Sequence, residues 1–517
     1  MKPVFKYSLI GAGILSVAAA AYLLFFSGKA DKLQKYIPED AALVLKISPE
    51  ALLKGIDREA LKKNDVFKEF RDDMDDSRQA FSVLLAKAMK DPKETGINWL
   101  RPSYVFMRSE KGYEYTAILI PVSDPALLKT CLNDHVKDHE DISLEDDQYF
   151  MKSGYNEYWG WNKEVLMILN MNGRKHKDLI SDHLNLTYEN NISSNEEMRK
   201  MLKKNAAVSW CINGKECFEL MQNMRGAMNS TLASFPSNYF GDFTGGTMDF
   251  NDGEIVMDAV QIGAKSMLQS KSDKSFNTTP DGIVPFFHMS CAVKIKPLLD
   301  VFLQNKTGMD DGSMMNSEIM AYLNELGNGM SMQMWNQGSP TDAYIENPLM
   351  AGSTGMAIRM GLAERAPKID SSMAILNMGL NSYIDRMNGY REEGDSSPVF
   401  PILMNRTGNV MNLKAGLKHN GNYKLWRDKR LPDDFFDQPV QFWIDFDEEH
   451  FPYWIFNRTT RAEQALTLKY MKQFSHLVGS GNAEKSTLKL VLKDQKKNAL
   501  AQILEMAMAA GKNGADI

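Results

Sequence analysis

The sequence predicts an α+β fold, with antiparallel sheets carrying helices on one face, built from about six strand-to-helix repeat units after an N-terminal transmembrane helix. Three observations point there. A short alternation of apolar residues that runs into a helix start recurs along the chain, tight-turn signals separate several of the copies, and the first charge-free run is one bilayer thick. The chain has 517 residues, 44% of them hydrophobic, which is enough for several cores and more than one domain. Disorder and a small disulfide-stapled scaffold are excluded. Its 60 basic and 66 acidic residues leave a net charge of -6, with no long cationic run to follow a phosphate backbone, which argues against nucleic acid as a partner.

The N-terminal element comes first. Lys2 and Lys6 precede a charge-free run from Tyr7 to Phe26, about 30 Å long as a helix. The small residues Ala18 to Ala21 resemble a signal-peptidase site, but Tyr22 to Phe26 continue the apolar run, so cleavage would fall inside it. The expectation is an uncleaved anchor that holds the chain in the lipid bilayer, in the inner membrane, with the bulk outside the cytoplasm. The alternative is a cleaved, periplasmic protein.

The repeat unit is clearest in ALVLKISPEALLKGI, Ala42 to Ile56. Leu43, Leu45 and Ile47 alternate as a strand, Ser48 and Pro49 suit a helix cap and first turn, and a helix follows. Anchor positions fall at Ile47, Val122, Ile212, Val293, Met378 and Phe446, about 80 residues apart. The alternation predicts that Ile47 is buried while Lys46 faces the other way. Hairpins are expected over Ser103 to Leu119, Thr247 to Ile262 and Val410 to Trp426, the second turning on Asn251, Asp252 and Gly253. Short hairpins make antiparallel neighbours. The polar stretch Ser270 to Asp281 divides the chain into an anchor at 1–28, a first repeat region at 29–270 and a second at 281–517.

At these residues a resemblance emerges. IPEDAALVLKISPEALLKG after a hydrophobic leader, then DPKETGINWLRPSYVFMRSE, and then WNKEVLMILN resemble domain-of-unknown-function family 4836, envelope proteins typical of Bacteroidetes. Members commonly look like lipoproteins, with a Cys ending the leader. Here Phe25, Phe26, Ser27 and Gly28 stand in that place, which supports a protein anchor instead. The resemblance implies an exported location and brings no activity or catalytic residue with it.

Several constellations invite a chemistry. Cys131, His135 and His139 are spaced by four, so a helix would put them on one face where zinc could bind. Cys131 nonetheless falls on the core-type position of Ile56, and a solvated helix end is the plainer reading. The glycine-rich stretch Gly479 to Ser486 lacks the glycine before Lys485 and sits after an expected helix, Arg461 to Val478. No nucleotide is expected there, only a glycine turn. The four cysteines fall mostly on apolar positions and read as free, mostly buried thiols. Met330, Met332 and Met334 alternate on one strand face, where thioethers could meet Cu(I) but more often fill a core. Phe435 to Phe456 is rich in aromatics among acids, so Trp443, Tyr453 and Trp454 are the candidates for a ligand contact, a glycan included, with core packing the plainer alternative.

No cofactor is expected, no metal is assigned and no residue set specifies a reaction. The sequence therefore favours a membrane-anchored envelope protein that acts as a non-enzymatic binding or assembly module, with an envelope protein or glycan as partner. A carrier of an apolar or glycan ligand is the second reading, and an envelope hydrolase the third.

Overall fold

The computed structural model describes residues 32–54, 56, 65–75, 79–110, 113–135, 141–153, 156–171, 176–223, 241–263, 268–294, 321–322, 324–337, 354–389, 402–415, 422–452 and 469–514. The run Tyr7–Phe26 lies outside them. No helix among the described residues is long and apolar enough to cross a membrane. The chain forms two compact units, one comprising Met1–Ala233, Phe240–Ala264 and Asp494–Ile517, the other Ser234–Tyr239 and Lys265–Lys493.

The first unit contains β1 (Leu43–Ile47), α1 (Pro49–Leu52), α2 (Asp65–Asp75), α3 (Ala80–Lys90), β2 (Ser103–Glu110), β3 (Tyr113–Pro121) and α4 (Pro125–His135). It continues through β4 (Ser143–Glu145), β5 (Gln148–Ser153), β6 (Glu157–Trp161), β7 (Val165–Met171), α5 (His176–Leu184), α6 (Glu196–Leu202), β8 (Val208–Asn213), α7 (Gly214–Asn223), β9 (Phe243–Asn251) and β10 (Glu254–Ile262). Every pairing is antiparallel, in the order β4-β5-β6-β7-β3-β2-β1-β8-β9-β10. The β2–β3 and β9–β10 hairpins form where their turn residues placed them, and Gly253 takes φ 69°, a left-handed conformation that favours glycine.

The expectation of helices on one face is overturned. Leu128 of α4, Leu84 of α3 and Leu500 of the C-terminal helix Ala499–Gly514 pack with Ile120, Leu166 and Ile168 on one side of the sheet. Ile180 and Leu184 of α5 and Met198 and Leu202 of α6 pack with Val44, Phe106, Leu119 and Cys211 on the other. A sheet covered on both faces buries both residue sets of a strand, so alternation along β1 cannot mark an exposed side. Ile47 is half-buried, whereas Lys46 is buried and donates from Nζ to the Leu202 carbonyl at 3.0 Å. That carbonyl ends α6, where helix groups lack intrahelical partners and a cation is favoured.

The second unit contains β11 (Thr278–Pro280), β12 (Phe287–Cys291), β13 (Leu326–Asn336), β14 (Thr354–Leu362), α8 (Pro367–Gly389), β15 (Ile402–Thr407) and β16 (Val410–Ala415). Then come β17 (Tyr423–Leu425), β18 (Val440–Asp445), β19 (Phe474–Gly481) and β20 (Lys485–Leu492). The main strands pair antiparallel as β15-β16-β14-β13-β12-β18-β19-β20, and β11 and β17 form a separate ribbon. Eighteen of the described strands thus lie in extended antiparallel sheet, and the molecule is richer in strand than predicted.

This order repeats that of the first unit, β6-β7-β3-β2-β1-β8-β9-β10, strand for strand. The six short repeats are therefore corrected to two copies of one larger topology, each containing several strand-to-helix steps. Ile47 and Ile212 lie on strands and Val122 and Val293 at isolated bridges, but Phe446 lies just past β18, and Met378 is on α8 with 63% of its surface exposed. Two further expectations fail. β16 pairs with β14 and β15 while β17 pairs with β11, so Val410 to Trp426 is no hairpin. Gly479 lies on β19, and Asn482 caps the turn into β20 by accepting from the Glu484 and Lys485 amides at 2.9 and 3.0 Å. The glycine stretch is a hairpin rather than a helix end.

Candidate functional site

At one end of the first unit's sheet, three chain segments meet: the stretch before β1, the turn leading into β2, and the β6–β7 turn. Together with the end of β3 they enclose a cavity of about 280 Å³ lined by Lys32, Arg101, Pro102, Val122, Lys163 and Glu164, among others. The β6–β7 turn is tight because the Asn162 side chain accepts from the Glu164 and Val165 amides at 2.9 and 3.1 Å. Lys163 stands exposed at its tip. Glu164 is taken up by an ion pair with Lys35 and by the Tyr36 hydroxyl, which donates at 2.8 Å; the Lys35 hydrogen bond chiefly holds its carboxyl below the usual range. Lys32, Arg101 and Lys163 make no ion pair among the described residues.

A second cavity in the same unit, of about 240 Å³, is lined by Asp40, Arg108, Glu110, Asp182 and His183, among others. Its arginine is held from within the protein. Arg108 donates to Asp40 at 2.8 Å and to Glu110 at 2.7 Å. Behind them the Tyr115 hydroxyl meets His183 Nε2 at 2.7 Å. Burial, with the Arg108 charge added, pulls the His183 imidazole down to about 3 and so keeps it neutral.

The second unit spends its polar groups differently. Arg359 on β14 donates to Gln333 Oε1 and to the Thr278 carbonyl. Gln333 donates to His288 Nδ1 at 3.0 Å, His288 Nε2 to Gln441 Oε1 at 3.2 Å, and Gln441 to the Gln438 carbonyl at 2.7 Å. This relay crosses β14, β13, β12 and β18, and all four side chains are buried. Nearby, the fully buried Asp445 carboxylate accepts from Arg430 and lies 2.7 Å from His450 Nδ1. Such networks fix the shape of the second unit's core, while the His450 ring stays partly open to solvent.

The sequence candidates distribute as follows. Cys131 is buried against Leu128 and Leu132 on α4, and burial pushes its thiol up to about 11. His135 ends that helix with its side chain outside the described residues, and His139 lies wholly outside them. Among the described residues no three His, Cys, Asp or Glu side chains are placed to hold a metal. Cys211 is buried, Cys217 and Cys291 are half-buried, and all four thiols are free. Trp443 is fully buried and donates from Nε1 to the Pro285 carbonyl at 3.0 Å, which makes it core; Tyr453 and Trp454 lie outside the described residues. Met330, Met332 and Met334 do share a face, opposite Met360, Met289 and Met356 on the neighbouring strands. The cationic cavity was not legible in the sequence, because Lys32, Arg101 and Lys163 converge only through the sheet topology.

The fold and its cavities define a protein with a duplicated antiparallel sheet-and-helix body. The chain belongs to the family described as domain of unknown function (DUF4836), which matches residues 34–381. Among solved structures, crystal form III of TP0453 is similar over 47% of this chain and 83% of that chain, at 10% identity and a TM-score of 0.28. Crystal form IV gives 45%, 81%, 11% and 0.27 in the same order. No curated protein matches the chain at a significant level.

Proposed function

We propose that this protein is held in the membrane of the cell envelope by Tyr7–Phe26, with its body outside the cytoplasm, and that the body is a non-enzymatic binding or assembly module. One observation carries the reading. The cavity whose cations make no ion pair among the described residues begins at Lys32, six residues after the charge-free run ends at Phe26. An open, charged cavity at the point where the chain leaves an apolar anchor suits recognition at a membrane surface. The resemblance to envelope proteins typical of Bacteroidetes favours the same reading. Fractionation tests it. The chain is expected in the membrane pellet after alkaline carbonate washing, with Met1 or Lys2 at its N-terminus. A soluble mature protein that begins after Ala20 or Ala21 would overturn it.

A further inference from the structure

We propose that the cavity between Lys32, Arg101 and Lys163 binds a phosphate group, either the headgroup phosphate of an anionic lipid or that of a soluble phosphate ester. The choice of an anion follows from charge. Three cations from three separate segments line one space, and its single carboxylate, Glu164, is already engaged by Lys35 and Tyr36. Lys32 still acts on Glu164 through space, while Lys163, next to Glu164 on the β6–β7 turn, and Arg101 make no ion pair among the described residues. Guanidinium and ammonium side chains on residues that line one space suit the spread oxygens of a phosphate, the guanidinium as a planar fork and the ammonium as a point charge.

The rest of the lining fits an organic phosphate. Leu33, Pro102, Pro121 and Val122 supply apolar wall beside the cations, and the volume approaches the roughly 300 Å³ at which small-ligand pockets begin. The duplicated topology shows that the fold does not require this corner to be open. At the matching end of the second unit, between the end of β14 and the β15–β16 turn, Arg406 donates to the carbonyls of Ala363, Glu364 and Gly408 and pairs with Asp370. There an arginine ties the corner together; in the first unit the corner is left open and cationic.

Position favours the lipid source. Six residues span at most about 20 Å, so an anchor ending at Phe26 would keep the cavity near the headgroups. This arm rests on the membrane-held reading, and the soluble arm does not.

The test uses the full chain in neutral detergent, titrated with short-chain phosphatidylglycerol, short-chain phosphatidylcholine and inorganic phosphate. The chain should bind phosphatidylglycerol more tightly than phosphatidylcholine, with affinity falling as salt rises. R101Q and K163Q should each weaken binding about fivefold, while K200Q on α6 should not. Displacement of the lipid by millimolar phosphate assigns the site to phosphate in general, and its failure assigns the site to the lipid headgroup. Folding of each variant is followed by near-ultraviolet circular dichroism. Variants that fold and bind every probe as the wild type does, or equal binding of the two lipids together with no binding of inorganic phosphate, overturn the proposal. A soluble chain whose phosphate binding is lost in R101Q would sink the membrane reading alone, and a membrane-held chain indifferent to R101Q would sink the site alone.

Discussion

Gln333 Nε2 donates to His288 Nδ1 at 3.0 Å, and this single contact fixes the state of the imidazole, because Nε2 on the far side of the ring donates to Gln441. A proton added to Nδ1 would point at the Gln333 amide hydrogens. Burial is the main cause that pulls His288 down to about 3, and His183 in the first unit is likewise pulled to about 3.

The sign of the pH dependence follows. Below the ordinary histidine pKa of about 6.5 the unfolded chain takes up protons at these sites and the folded chain does not, so stability falls as pH drops from about 6.5 toward 3. Each residue contributes a slope of about 1.4 kcal/mol per pH unit within that window. Urea denaturation at pH 7 and pH 4.5 checks this. H288L should be less stable at pH 7 yet lose less than the wild type on acidification. An unchanged acid loss in H288L would show that His288 protonates in the folded state.

Lys46 yields the second prediction. Its Nζ closes the end of α6 at the Leu202 carbonyl, from inside a core that also holds Val44 and Met201. K46A removes both the hydrogen bond and the buried stem, so a loss of about 2–3 kcal/mol is expected in denaturant titration. I47D, which would place a carboxylate against the opposite core, should cost at least as much. A neutral K46A would mean that this face of β1 is wet.

How far the sequence reached is clearest on these strands. The β2–β3 and β9–β10 hairpins were legible because turn chemistry is local. The face of β1 was not, since alternation marks a buried side only when the other side meets solvent, and here helices cover both. The duplication was hidden for another reason. Pairing registers place Val44 opposite Phe106 in the first unit and His288 opposite Gln333 in the second; the next pairs along are Tyr104 with Leu119 and Ser331 with Arg359. Equivalent positions thus hold apolar residues in one copy and a polar relay in the other. The short repeat seen in sequence is the strand-to-helix step that both copies share. The cationic cavity depends on residues distant in sequence, and no local pattern marks it.

The third prediction concerns the thiols. Cys131 and Cys211 are buried and their thiols are pushed up to about 11 and 12 by burial, so neither forms much thiolate near neutral pH. In the native chain a thiol reagent should modify Cys217 and Cys291 slowly and the other two only on unfolding. Mass mapping of the labelled peptides gives the order. Native labelling of Cys211 ahead of Cys217 would contradict the packing of β8 against α6.

The last prediction tests the Asp445 cluster. Arg430 donates to both carboxylate oxygens, at 3.1 and 2.6 Å, and is itself braced by Asp428 at 2.7 Å. Burial alone would raise Asp445, but hydrogen bonds from His450 and Arg430 outweigh it and hold the carboxyl down at about 2. A folded value below the unfolded one of about 3.9 means that Asp445 adds stability above that pH, which is lost as pH falls toward 2. R430M removes the main cation and leaves a buried carboxylate with His450 as its remaining charged partner. The expected cost is about 3–5 kcal/mol at pH 7, and the acid limb of the stability curve should move to higher pH. Replacing both partners in D445N/R430M should restore part of the loss, because no unpaired charge is then buried. If R430M costs as little as an exposed ion pair, below about 1 kcal/mol, Asp445 is reached by water and the cluster does not anchor β18.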